Sequence, residues 1–216
     1  INPEFAEGYS NLGVALKKQG KLDEAVLAYN KALEIKPNYA EGYNNLGNAL
    51  KEQGNLETAI EAYNKALEIN PKYAVAQQNL GGALKGVIFG GSNTSLQRNI
   101  LSLLNKNSYV RPKDVAKAAI SLLKFEPNLQ KQLKKTQAGE PLQNPLEVIS
   151  ALSELPLLLK LMSVCPLPDL ELEGLLTELR RSILLNISEI KDASPGLFKF
   201  QSALALQCFT NEYIYN

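Results

Sequence analysis

Three asparagines recur at a fixed interval in the first half of the chain: Asn11, Asn45 and Asn79 are spaced 34 residues apart. An asparagine side chain carries one hydrogen-bond acceptor and two donors, which complement the donor and acceptor of a peptide unit. Asparagines repeated along one surface would therefore hold an extended peptide by its main chain. Each net hydrogen bond contributes about 1 kcal/mol, so three such residues alone predict weak, roughly millimolar-to-micromolar binding.

Side chains suited to nucleophilic, metal or redox chemistry are scarce. The sequence has no histidine, which excludes Ser-His and Cys-His pairs and imidazole metal ligands. Its two cysteines, Cys165 and Cys208, are far apart among apolar residues and are interpreted as buried small hydrophobes. We see no carboxylate pair in a catalytic setting. The prediction is a chain that is not an enzyme and needs no cofactor or metal.

A glycine-rich stretch, LGGALKGVIFGGSNTS at residues 80–95, could be taken for a phosphate-binding loop. Gly86 and Gly91 have the spacing of a Walker A loop, but Ser92 stands where that loop requires lysine, and a helical pattern precedes it instead of a strand. We interpret residues 86–93 as a connector, with Asn93 or Thr94 capping a new helix.

The elements that position the asparagines are two copies of one unit. Residues 6–39 and 40–73 align without a gap and are identical at 24 positions. With two helices per copy, the unit resembles the tetratricopeptide repeat (TPR). The resemblance rests on Tyr9 and Tyr43, Leu12-Gly13 and Leu46-Gly47, Ala25 and Ala59, Tyr29 and Tyr63, Ala32 and Ala66, and Pro37 and Pro71. It implies an all-α helix-turn-helix solenoid, in which Gly20 and Gly54 end the first helices.

The resemblance also implies a concave groove lined by the first helix of each unit. The side chains predicted to bind an extended peptide or partner segment there are Asn11, Asn45, Asn79, Asn44, Asn48, Glu7 and Glu41. In some family members asparagine at the matching position holds a peptide main chain. Asparagine before Leu-Gly is also common in such repeats and can bond the neighbouring helix, so both interpretations stay open. Carboxylate-clamp members place lysine and arginine in the groove. None of the matching positions here is basic, so an acidic chaperone tail is not expected.

Both ends of the repeat array are incomplete. Residues 1–5 match residues 69–73, which end the second copy, and a third unit begins but has Ile88 where the turn glycine is due. We predict a TPR array over residues 1–91: the end of one repeat, two full repeats and a degenerate half-repeat. A non-repetitive helical domain, interpreted as truncated, follows over residues 92–216. The chain is thus expected to be a fragment of a larger protein.

The second half is predicted to be helical from its apolar periods. A polar segment over residues 134–145 is predicted to be a loop, because it carries glycine and two prolines. The last predicted helix has two apolar faces and is expected to be buried on most sides. These faces comprise Leu197, Phe200, Leu204 and Cys208, and then Leu206, Phe209 and Tyr213.

A second resemblance covers residues 94–216. The stretch that begins NPLEVISALSEL and ends CFTNEYIYN is similar to the helical region that precedes an S-adenosylmethionine-dependent methyltransferase domain in bacterial, notably cyanobacterial, TPR proteins. It implies an alternative to a protein–protein interaction module. In that alternative the chain is the substrate-recruiting accessory region of a transferase, a methyltransferase or glycosyltransferase, whose catalytic domain lies outside it.

The charge balance narrows the class of partner. There are 23 basic and 22 acidic residues, a net charge of +1, which gives no basic field for nucleic acid. The sequence has no run of about 18 apolar residues that would span a membrane, and we expect no signal peptide. We expect a cytoplasmic protein with a protein or peptide partner, no nucleic acid and no membrane. Self-association through an apolar array end at Phe5 and Tyr9 is a further expectation.

Overall fold

Helices make up the whole secondary structure of the part of the chain that the structure describes. This computed structural model describes residues 4–105, 110–142, 144–185 and 195–212, which form twelve α-helices and no strand. The all-α prediction is confirmed. Contacts divide the chain into two compact units, Ile1–Lys85 and Gly86–Asn216. The division of the chain into two domains, with a boundary at residue 91, stays a prediction.

The first unit is a solenoid of helical hairpins. Its helices are α1 (Glu4–Lys18), α2 (Leu22–Ile35), α3 (Ala40–Glu52), α4 (Leu56–Ile69) and α5 (Ala74–Ala83). The helices of each hairpin pack together, α1 on α2 and α3 on α4, and α2 packs on α3 as α4 does on α5. In addition, α1 contacts α3 and α3 contacts α5. The first helices of successive repeats are therefore neighbours.

Two glycines end the first helices of the full repeats, as predicted. Gly20 and Gly54 have φ of 75° and 86°, a left-handed conformation that costs glycine little. After α1, the Lys21 N–H donates to the Leu16 carbonyl at 3.0 Å, and the Gly20 N–H donates to the Lys17 carbonyl at 2.9 Å. This pair of bonds satisfies carbonyls that would otherwise be unpaired at the helix end.

Close packing within each hairpin depends on a glycine against a tyrosine ring. A Cβ added at Gly47 would lie 2.6 Å from Cε1 of Tyr63, and one at Gly13 would lie 2.7 Å from Cε1 of Tyr29. Both tyrosine rings are fully buried. The glycines thus let each ring lie directly against the backbone of the facing helix.

The third repeat departs from the pattern of the first two after its first helix. Helix α5 has 10 residues, against 15 in α1 and 13 in α3, and Gly86 follows it with a φ of 78°. Helix α6 begins at Thr94, where the Leu96 N–H donates to Oδ1 of Asn93 at 2.9 Å. Of the two predicted caps, Asn93 is therefore the one that accepts this bond.

The second unit is a non-repetitive helical bundle. Its helices are α6 (Thr94–Asn105), α7 (Pro112–Leu123), α8 (Pro127–Gln137), α9 (Pro145–Ser153), α10 (Pro156–Val164), α11 (Leu170–Leu185) and α12 (Pro195–Glu212). Helix α10 contacts α6, α7, α9 and α12, so it lies at the centre of the unit.

The prediction that a loop begins at residue 134 is wrong at its start. Helix α8 continues through this polar but helix-favouring sequence to Gln137.

Helix α12 is buried on one face and exposed on another. Phe200, Ala203 and Leu204 are buried, whereas Phe198 and Leu206 are exposed. The expectation of burial on most sides is therefore wrong at Leu206, which belongs to the second predicted apolar face. Four other residues of the predicted faces lie outside the described side chains: Leu197, Cys208, Phe209 and Tyr213.

Candidate peptide-binding face

The repeated asparagines lie on three helices that are successive neighbours. Asn11 is on α1, Asn45 on α3 and Asn79 on α5, and each helix contacts the next. The 34-residue period gives these residues the same place on each helix. We call the surface formed by α1, α3 and α5 that carries these three residues the asparagine face.

Exposure differs along the asparagine face. Asn11 is exposed, whereas Asn45 and Asn79 are half-buried. The predicted acidic residues Glu7 and Glu41 are exposed, and Oε1 of Glu7 lies 3.3 Å from Nζ of Lys36. Exposed ion pairs of this kind contribute little to stability, so this pairing leaves Glu7 able to meet a ligand.

Asn79 is tied to the preceding repeat by its amide group. Its Nδ2 donates to Oδ1 of Asn44 at 2.9 Å and to Oδ1 of Asn48 at 3.1 Å. The Tyr63 hydroxyl donates to the same Oδ1 of Asn48 at 2.8 Å. These four side chains form what we call the asparagine network. Asn44 is only 3% exposed, so a ligand would reach it only after a rearrangement. In this structure its side chain accepts a hydrogen bond from Asn79.

The Tyr63 hydroxyl remains a donor over a wide pH range. Burial raises the pKa of Tyr63 to about 12, and the negative charge of Glu52 adds to the rise. A phenol with a raised pKa keeps its proton, because burial disfavours the charged phenolate. The hydrogen bond to Asn48 therefore persists well above neutral pH.

Within the described residues the first repeat has no such network, and two of its residues differ: Ser10 occupies the position of Asn44 in the second repeat. Val14 occupies the position that Asn48 has in the second repeat, 34 residues later. The Tyr29 hydroxyl is buried and has no hydrogen-bond partner among the described residues. Among the described residues, Asn45 makes no side-chain hydrogen bond to the first repeat. A valine side chain has no acceptor, so it can serve neither group.

The five predicted asparagines therefore divide into three kinds. Asn11 and Asn45 keep their amides unbonded within the described chain. Asn79 has both Nδ2 donors engaged and offers its Oδ1, while half-buried Asn48 has its Oδ1 engaged and offers its Nδ2. Asn44 is buried. The differences between Val14 and Asn48 and between Ser10 and Asn44 were visible in the sequence and could have separated these residues.

One end of the solenoid exposes apolar side chains. Leu12 of α1 is 48% exposed, whereas Leu46 and Leu80, its counterparts in later repeats, are 9% and 0% exposed. Phe5 is also exposed, and Tyr9 is half-buried with Nζ of Lys31 at 5.7 Å from its ring centroid. Self-association through this end stays a prediction.

In residues 4–105, 110–142, 144–185 and 195–212, no three acidic or cysteine side chains cluster as metal ligands would. No helix within those ranges is both long and apolar enough to cross a membrane. The predictions that the chain is not an enzyme and is cytoplasmic stay predictions.

Comparison with known proteins identifies the repeats. A family described as TPR repeat matches residues 15–54, and one described as tetratricopeptide repeat matches residues 40–73. No curated protein matches the chain. The resemblance of residues 94–216 to a region preceding a methyltransferase domain stays a prediction, as does a bacterial origin. Tetratricopeptide repeats are in general protein–protein interaction modules. Residues 15–73 of this chain are tetratricopeptide repeats.

Proposed function

We propose that the first unit binds an extended segment of a protein partner along the asparagine face, by hydrogen bonds to the main chain of that segment. The observation that carries the proposal is the pair Asn11 and Asn45. They occupy the same position on neighbouring helices, and their amides are not used within the described chain. Each presents an acceptor and two donors to an incoming peptide.

The spacing of these residues suits an extended chain. Helices in contact lie about 8–10 Å apart, and an extended peptide advances about 3.3 Å per residue. Asn11 and Asn45 would therefore meet about every third peptide unit. Asn79 would continue this series through its Oδ1, and Asn48 would add a donor beside it.

Charge narrows the class of peptide. Glu7 and Glu41 are exposed at equivalent positions of the two full repeats, and the third repeat has Val75 at that position. None of these positions, nor those of the three repeated asparagines, is basic. The asparagine face therefore favours a neutral or basic segment over an acidic one, because like charges repel at short range.

The proposal predicts that changing both Asn11 and Asn45 to alanine weakens binding at least tenfold. Two to four hydrogen bonds of about 1 kcal/mol each would be lost, and 1.4 kcal/mol corresponds to a factor of ten. The measurement is capture of peptides from a diverse unstructured library by the full chain, followed by titration of the captured peptides.

Two further variants serve as controls. Asn30→Ala removes an exposed asparagine from α2, outside the asparagine face, and is expected to leave binding unchanged. Asn79→Ala is analysed separately, because it also removes two internal hydrogen bonds. If the double variant folds and retains every peptide as the wild type does, the asparagine face is not the binding surface.

A further inference from the structure

An open groove of about 480 Å³ lies in the second unit between α6, α10 and α12. The side chains that line it include Leu101, Leu159, Lys160, Phe198, Lys199 and Leu206. On α10 the lining positions run from residue 156 to 163, and on α12 from 198 to 206. At a rise of about 1.5 Å per residue, the groove is roughly 10–12 Å long, or about two helical turns. We call it the α10–α12 groove.

The floor of the α10–α12 groove is apolar and open to solvent. Phe198 is 66% exposed and Leu206 is 47% exposed, two turns apart on one face of α12. Leu101 and Leu159 contribute further apolar surface from α6 and α10. Apolar side chains that line one open groove are suited to contact with the apolar face of another molecule.

The charged residues among the described lining of the groove have a single sign. Lys160 lines it from α10 and Lys199 from α12, and the described lining residues include no aspartate or glutamate. Within the part of the chain that the structure describes, neither lysine forms an ion pair. Two ammonium groups beside an apolar floor favour an occupant that is apolar on one side and acidic at its edges.

We propose that the α10–α12 groove binds a short amphipathic helix of a protein partner, which places apolar side chains on Phe198 and Leu206 and acidic side chains beside Lys160 and Lys199. A helix presents apolar residues on one face at spacings of three and four, and helix-in-groove recognition uses such a face. Two turns of contact match the length of the groove. This site is distinct from the asparagine face and does not depend on its function.

Charge also argues against a second copy of this chain as the occupant. A twofold contact of the groove with itself would bring the two pairs of lysines together, and like charges at close range oppose association. An acidic helix meets the same lysines with attraction and covers the same apolar residues.

The test uses two labelled peptides of about 18 residues, a length that supports a helix. Both carry leucine at positions i, i+3, i+4 and i+7; one has glutamate on its other faces and the other has lysine. Fluorescence anisotropy with the full chain is expected to show at least tenfold tighter binding of the acidic peptide. The combined change Lys160→Glu and Lys199→Glu should weaken acidic-peptide binding at least tenfold and create binding of the basic peptide.

Apolar and control variants complete the experiment. The combined change Phe198→Ser and Leu206→Ser should weaken acidic-peptide binding at least tenfold, and the exposure of both residues makes loss of the fold unexpected. Lys131→Glu and Leu170→Ser change exposed residues outside the groove and should leave binding unchanged. Equal binding of both peptides, no binding, or insensitivity to the groove variants would overturn the proposal. Capture of phosphatidylglycerol vesicles that excludes the acidic peptide would overturn it too.

Discussion

Replacing Asn48 by alanine is expected to lower the free energy of unfolding by about 2–3 kcal/mol. The substitution removes the acceptor for the Tyr63 hydroxyl and one acceptor for Nδ2 of Asn79. Tyr63 is fully buried, so its hydroxyl would be left without a partner, and an unpaired buried polar group costs about 1–3 kcal/mol. Urea unfolding followed by circular dichroism measures the loss.

The first repeat supplies the matched controls for this prediction. Tyr63→Phe should destabilise the protein by about 1 kcal/mol, and its effect should not add to that of Asn48→Ala, because both remove the same bond. Tyr29→Phe should not lower the free energy of unfolding, since the hydroxyl that it removes has no hydrogen-bond partner in the described part of the chain. The reverse change, Val14→Asn, supplies the missing acceptor and should stabilise the fold by about 1 kcal/mol. Equal costs for Tyr29→Phe and Tyr63→Phe would contradict the asparagine network.

Alanine at Gly47 is expected to destabilise the protein by about 1–3 kcal/mol relative to alanine at Gly8. A Cβ at Gly47 would lie between 2.6 and 3.0 Å from three atoms of the Tyr63 ring. The ring is buried, and its hydroxyl is held by Asn48, so it cannot swing away without losing that bond. Adding atoms to a tightly packed core typically costs about 1–3 kcal/mol. Urea midpoints of the two variants give the difference.

Gly8 is the reference because it isolates helix propensity. It lies in the interior of α1, and a Cβ there meets nothing within 4 Å. Gly8→Ala should therefore gain up to about 1 kcal/mol from propensity alone. Were Gly47→Ala to stabilise the protein as much as Gly8→Ala, close approach of the tyrosine ring would not be what requires glycine.

The backbone of the repeats was predictable because it depends on residues that recur. Gly20 and Gly54 recur at the helix ends, where the left-handed conformation favours glycine. Gly13 and Gly47 recur opposite the tyrosines, where a close approach excludes larger side chains. In each case one local requirement selects one residue type, so the period alone carries the information.

Whether each repeated asparagine is hydrogen-bonded within the chain could not be predicted from the 34-residue period. Asn45 and Asn79 stand at the same position of their repeats, yet Asn79 bonds Asn44 and Asn48, whereas the preceding repeat offers Asn45 Ser10 and Val14 at those positions. The outcome depends on two side chains in a neighbouring helix, not on the asparagine itself.

The exposure of apolar side chains on α12 also depends on tertiary contacts, so it could not be predicted from the sequence. Leu206 belongs to an apolar face of that helix, but the described bundle leaves it 47% exposed. Apolar periodicity indicates which residues share a helix face, and does not indicate whether another helix covers that face.

The central claim, that the asparagine face holds the main chain of a partner segment, is tested most directly with modified peptides. A peptide captured by the wild type is titrated beside two derivatives, one N-methylated at every third residue and one with its side chains shuffled. We predict that N-methylation, which removes main-chain donors, weakens binding at least tenfold, and that shuffling changes it less than about threefold. Unchanged binding of the methylated peptide together with loss of the shuffled one would contradict the claim and show that side chains are recognised instead.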